Sequence, residues 1–154
     1  MNACDISFGN YNKAVFLKSQ EWLSDPEIKR LTMAPDTSFE ERLKWFESLQ
    51  NNNRYHIESI IVGNEAVGVV GLKNINPKDK YAEYFGYLGN KEYIGVGIGK
   101  LMLDHVCEIA RHMNLRKIYL KVADYNTRAY YLYVNQGFVI NANIDNVIWM
   151  EKLL

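Results

Sequence analysis

The sequence predicts an α+β domain built on a central mixed, mostly antiparallel β-sheet flanked by about four helices. Three observations predict it. Capped helical segments fill the first third of the chain, three β-rich segments joined by tight turns occupy residues 55–88, and helix and strand signals alternate after residue 97. Strict βαβ alternation along the whole chain, as in a doubly wound sheet, is missing. The 154 residues suit one compact domain, 1–154, and 48% hydrophobic with 23% charged content is ordinary for a chain that buries its own core.

Each element has its local reason. Residues 5–8 open as a strand, and Asn10 is the expected cap of a helix reaching Leu23. Pro26 after Asp25 suits the first turn of a second, short helix. Ser38-Phe39-Glu40-Glu41 is a capping box, so a third helix is expected to about Gln50. Tyr55–Val62 is rich in β-branched and aromatic residues, Gly63-Asn64 is a turn, and Ala66–Ile75 is its partner strand. Asn76–Asp79 turns the chain into a third strand, Tyr81–Leu88. A helix from Gly97 to about Met113, a strand Lys117–Val122, a helix Thr127–Gln136 and a hairpin of 138–142 with 147–152 complete the order.

Composition excludes several classes. Lys+Arg and Asp+Glu both number 18, which gives no electrostatic case for nucleic acid or a membrane surface. Cys4 and Cys107 form no C-x-x-C pair, and His56, His105 and His112 lack metal-ligand spacing, so no metal site is expected. The first residues show no basic-then-apolar leader and no apolar run is long enough to span a bilayer, so the expected location is cytoplasmic.

Chemistry concentrates in two segments. The first is Ile94-Gly95-Val96-Gly97-Ile98-Gly99-Lys100, between a strand and a helix. Helix starts carry unpaired N–H groups and a positive dipole end, and glycines admit a phosphate close to the backbone. A P-loop would need Ser or Thr after Gly99-Lys100, where Leu101 stands; a dinucleotide fingerprint would need glycine at Lys100. Alternating glycines by themselves fit a flexible turn equally well. The second segment runs from Asn126, at a strand-to-helix junction, through Tyr133 to Gly137-Phe138. Taken singly these are a helix cap, a packed tyrosine and a C-terminal glycine.

Together the two segments resemble the GNAT superfamily of acetyl-CoA-dependent N-acetyltransferases. Residues 94–99 are similar to its pyrophosphate motif, (Arg/Gln)-x-x-Gly-x-(Gly/Ala), and Asn126…Ala129…Leu132-Tyr133…Gly137-Phe138 to its second cofactor motif. The resemblance implies a GNAT-like fold, acetyl-CoA as cosubstrate, and direct attack of a primary amine on the thioester. It implies cofactor contacts from Gly95, Val96, Gly97, Ile98, Gly99 and Lys100, from the backbone of Leu88 and Asn90 where two strands splay around the pantetheine arm, and from the Asn126 side chain. One departure stands out: Ile94 replaces the family's Arg or Gln, so one side-chain contact is missing and affinity should fall at most modestly.

An alkylammonium must lose a proton before it attacks, and the departing thiolate must gain one. The resemblance makes Tyr133 the general acid and Glu83, on the strand leading to the glycine loop, the candidate base acting through water. A packed tyrosine and a solvated strand carboxylate are the competing readings. The N-terminal half, Trp22–Ile28 with Ser38…Trp45-Phe46 and Val67–Leu72, is similar both to ribosomal-protein acetyltransferases of the Rim type and to small enzymes that acetylate nucleotide-linked amino sugars. The chain's length and Phe85–Gly89 favour a small-molecule amine of the second kind. A protein N-terminal acetyltransferase and a non-catalytic acyl-CoA-binding module are the alternatives. Aromatic residues between 22 and 55 are expected either to stack on the acceptor or to pack in the core, and the resemblance admits a homodimer.

Overall fold

Short side chains that cap helices and turns decide where each element begins. The computed structural model describes residues 5–154, so Cys4 lies outside the described residues. Strand β1 (Ile6–Asn10) runs into helix α1 (Lys13–Ser24), whose cap is Asn12, not Asn10: the Asn12 side chain accepts from Val15 N–H at 3.0 Å. Asn10 instead ends the strand, its carbonyl accepting the Ser59 hydroxyl at 3.0 Å. Asp25 caps α2 (Pro26–Thr32), and Ser38 caps α3 (Phe39–Ser48), which tightens into a single 3₁₀ turn over Leu49–Asn51. The meander is β2 (His56–Val62), β3 (Glu65–Asn76) and β4 (Tyr81–Leu88); then come α4 (Ile98–His112), β5 (Lys117–Ala123), α5 (Thr127–Asn135), β6 (Val139–Ile144) and β7 (Val147–Leu153). The last hairpin turns on Asp145 and Asn146, both left-handed at φ 52° and 66°, the two-residue geometry that matches strand twist. Among the described residues the α-helices number five, in keeping with the expected figure of about four.

All seven strands form one sheet in the order β1-β2-β3-β4-β5-β7-β6. Every pairing is antiparallel except β4 with β5, which are joined by the α4 crossover that parallel neighbours require. That parallel pairing is short. It covers Tyr81–Glu83 against Lys117–Tyr119 and then stops, so from Tyr84 onward β4 and β5 separate. β5 stays paired with β7 along its whole length, and β4 stays paired with β3 to Leu88. The opening therefore lies inside the sheet.

The two faces are covered differently. Ala82, Tyr84 and Leu88 face α4 and α5 and belong to the large core with Ile98, Met102, Val106, Ile118, Leu120 and Met150. Phe85 and Tyr87 face the other way and pack with Val15, Trp22 and Ile28 of α1 and α2. Among the described residues, no helix is long and apolar enough to cross a membrane.

The close spacing of β2 and β3 depends on Gly71. A Cβ there would drive into the His56 carbonyl and stand 2.9 Å from Ile57 Cα, both backbone atoms that cannot swing aside. Gly71→Ala should therefore cost about 1–3 kcal/mol of stability in a urea melt by overpacking the strand interface.

Candidate active site

The opening between β4 and β5 leaves peptide groups unpaired in the middle of a sheet, which only a ligand or water can satisfy. At its outer end Gly89 N–H turns toward β3 and bonds the Val67 carbonyl at 2.8 Å. Pleat alternation then points the Leu88 amide and carbonyl the other way, into the opening, where the sequence expects them. Asn90 differs from expectation. Its N–H bonds Val67 O at 3.1 Å, its carbonyl accepts from Tyr93 N–H, and its side chain caps the 3₁₀ turn Lys91–Tyr93. It shapes the exit of β4 rather than offering a free edge.

The three glycines of the loop do three different jobs. Gly97, at φ 92°, is the N-cap of α4 without any side-chain cap, so the helix's first N–H groups are left open. A Cβ at Gly97 would meet nothing within 4 Å, which leaves room for an anion against the backbone. Gly99 is a packing residue, because a Cβ there would stand 2.7 Å from Leu132 Cδ2 of α5. Gly95, at φ 83°, lies beneath the guanidinium of Arg128. Between them Ile98 is buried and anchors the helix, whereas Val96 is exposed. The Lys100 ammonium pairs with Asp104 at 2.8 Å on the exposed surface of α4.

Asn126 caps α5, as the sequence reading allowed: Oδ1 accepts from Ala129 N–H and Nδ2 donates to the Leu31 carbonyl, both at 3.4 Å. Next to it, the Tyr125 hydroxyl donates to the Arg30 carbonyl at 2.8 Å. The C-terminal part of α2 is thus tied to the β5–α5 corner, across the mouth of the opening.

Tyr133 projects from α5 toward the covered face. Its ring meets Tyr84 edge-on at 6.1 Å and Phe138 at 5.7 Å. Burial pushes its phenol up to about 12, so the hydroxyl is a proton donor throughout the neutral range. Glu83 lies on the opposite face of β4, as its alternation with Tyr84 requires. It is not a solvated strand carboxylate: only 4% is exposed, Oε1 accepts from Asn74 Nδ2 at 3.0 Å, and Oε2 stands 3.7 Å from Lys73 Nζ. Asn74 reaches it because the β3–β4 register shifts between Lys73 and Asn76, with Asn74 at φ 52°. The Tyr119 phenol of β5 is raised first by burial and then by the Glu83 carboxylate. The acid and base candidates thus flank the inner end of the opening from its two sides.

The aromatic residues of 22–55 pack against one another and against aromatic residues outside that stretch. Phe16 stacks on Phe46 at 4.7 Å, Trp45 meets Tyr55 at 5.8 Å, and Trp22 is buried edge-on to Tyr87. A further aromatic surface lies on β4, β5 and β7, lined by no helix residue among those described: Tyr81, Tyr119 and Trp149 line a cavity of about 250 Å³ with Lys117, Asn141, Met150 and Glu151. Strand alternation places Tyr119 and Trp149 on one face, but nothing local says that no helix covers it. The histidines are structural: His105 stacks on Phe8 at 3.8 Å and meets Glu58 at 2.6 Å, while His112 is solvent-facing.

A sheet parted beside an uncapped glycine-bearing helix start, with a partly buried tyrosine and a buried carboxylate near its inner end, fits an acyltransferase domain that takes its acyl group from coenzyme A. The chain belongs to the acetyltransferase (GNAT) family, whose model matches residues 17–138, and acetyl-CoA is the family's cosubstrate. A search of curated protein sequences finds no significant match. Among solved structures it is similar to the spermidine N-acetyltransferase of Vibrio cholerae in complex with CoA and spermine, at 21% identity and TM-score 0.88 over 97% of this chain and 96% of that one. The N-acetyltransferase PseH of Campylobacter jejuni follows at 18% identity and TM-score 0.74 over 97% and 98%. A domain from Methanocaldococcus jannaschii gives 18% identity and TM-score 0.85 over the same shares.

Gly97→Val should abolish CoA binding in calorimetry, because a branched side chain enters the open space and the left-handed backbone is strained. The tyrosines give a second expectation. Folded Tyr133 holds its proton to about 12, above the ordinary tyrosine value of about 10, so its contribution to stability is complete below about pH 10 and is lost as pH rises through 12. Tyr133→Phe should flatten that alkaline loss of stability while lowering turnover about 100-fold or more with CoA affinity kept.

Proposed function

We propose that this chain transfers the acetyl group of acetyl-CoA to the primary amine of a small, nucleotide-linked amino sugar in the cytoplasm. Acetyl-CoA supplies the thioester carbonyl on which the amine acts. The Leu88 backbone and the first turn of α4 bind and orient the cosubstrate. Glu83, through water, takes the proton that the ammonium must lose, and Asn74 and Lys73 hold its carboxylate in place. The Tyr133 hydroxyl holds the proton that the sulfur leaving group needs.

One observation carries the choice of acceptor: the aromatic cavity that adjoins Glu83 is flanked by ammonium groups. Tyr119 and Trp149 lie parallel within 12° with centroids 6.0 Å apart, a surface for a sugar or base ring. Lys121 lies 4.6 Å from the Trp149 ring, and Lys117 stands 3.4 Å from Glu151. With Lys73, three cations face two carboxylates, Glu83 and Glu151, a balance that suits a ring carrying phosphates better than a polycation.

A thiol-release assay with nucleotide-linked amino sugars, polyamines and N-terminal peptides tests this reading. Turnover should be greatest with the amino sugars, and Trp149→Ala should raise their KM about tenfold with kcat little changed. Turnover of peptides but not of amino sugars would sink the acceptor assignment. Absence of turnover with every amine, despite CoA-dependent thermal stabilisation, would leave a binding module instead.

A further inference from the structure

The loop that precedes α4 ends on an open helix start, and its own acidic residue, Glu92, lies in the 3₁₀ turn before Ile94. The first turn of α4 holds no acidic residue and no side-chain cap. Helix α5 packs against α4 through Leu132 and Gly99, and the first turn of α5 holds no acidic residue either. Arg128 stands in that turn of α5, where the helix dipole disfavours a cation. Its guanidinium nevertheless lies over Gly95: a Cβ built there would collide with Nη1 and come within 3.5 Å of Cζ and 3.9 Å of Nη2. Arg128 takes part in none of the ion pairs formed among the described residues. The loop's other cation, Lys100, is taken by Asp104. Two helix starts and an unpaired guanidinium thus converge on one place.

This is also the place where the loop itself falls short. The family pattern has Arg or Gln at the position of Ile94, and Ile94 is 37% exposed with nothing polar to offer. We propose that Arg128 is the side-chain ligand of the coenzyme A pyrophosphate, supplying from α5 the contact that residue 94 cannot make. A planar guanidinium can hold two phosphate oxygens at once, while the open N–H groups of α4 take others. The proposal rests on the reading of residues 95–100 as the phosphate site.

Calorimetric titration of the full chain with CoA and with 3′-dephospho-CoA tests it. Arg128→Ala should weaken both by the same factor, about 10- to 100-fold, and should make log Kd less steep against log salt. Ile94→Arg placed in the Arg128→Ala background should recover most of the loss, which a purely structural role for Arg128 would not permit. Unchanged CoA affinity in Arg128→Ala, or a loss confined to CoA with 3′-dephospho-CoA unaffected, overturns the assignment; the second outcome would move the contact to the 3′-phosphate. Gly97→Val separates the two levels of the argument. If it leaves CoA affinity intact, the phosphate site is elsewhere; if it abolishes affinity while Arg128→Ala does not, only the role of Arg128 falls.

Discussion

Three residue pairs join β4 to β5, and the opening beside them depends on their being only three. Tyr81–Glu83 pair with Lys117–Tyr119, and beyond them β4 and β5 part. A continued ladder would satisfy Tyr84–Leu88 and Leu120–Ala123 at once, but it would close the sheet. By leaving those peptide groups unpaired, the fold keeps a line of donors and acceptors for a ligand, at a cost that burial elsewhere must offset. The large core under α4 and α5 and the smaller one under α1 and α2 supply that offset from opposite faces.

The same opening explains why the candidate acid and base need not touch. Tyr133 reaches the inner end from the α5 face, and Glu83 from the face that carries Tyr119 and Trp149. On the proposed reading, a proton leaving an amine and a proton meeting a sulfur would be handled on two sides of one strand. Their environments are opposite too: the phenol is kept neutral by burial, and the carboxylate is kept beside an ammonium and an amide.

Much of this was legible from local chemistry. Asp25, Ser38 and Gly97 mark helix starts because their jobs involve near neighbours, and Tyr81–Leu88 stands as read. Asn10 was misread because two asparagines lie two positions apart and only pairing with β2 decides which one ends the strand. The glycines read as one motif resolve into an anion space, a helix contact and a seat for Arg128, roles set by α5 and invisible in spacing. Glu83 read as a residue on a strand; its partners come from an irregular β3–β4 register that no periodicity records. Trp149 was read only as part of a strand, since its site arises from where helices are absent.

An internal gap in a sheet is also a template for a stray strand, the hazard that exposed edges pose in aggregation. Here the mouth of the gap is bracketed: Tyr125 and Asn126 are tied to the Arg30 and Leu31 carbonyls of α2, and the Arg30 guanidinium lies 4.8 Å from the Tyr125 ring. A polypeptide strand bears side chains on both faces, whereas a pantetheine arm has the hydrogen-bonding groups of a peptide and little of its girth. The tie between α2 and α5 gives the proposed pantetheine path one fixed wall, which a slender amide chain would accommodate more readily than a strand would.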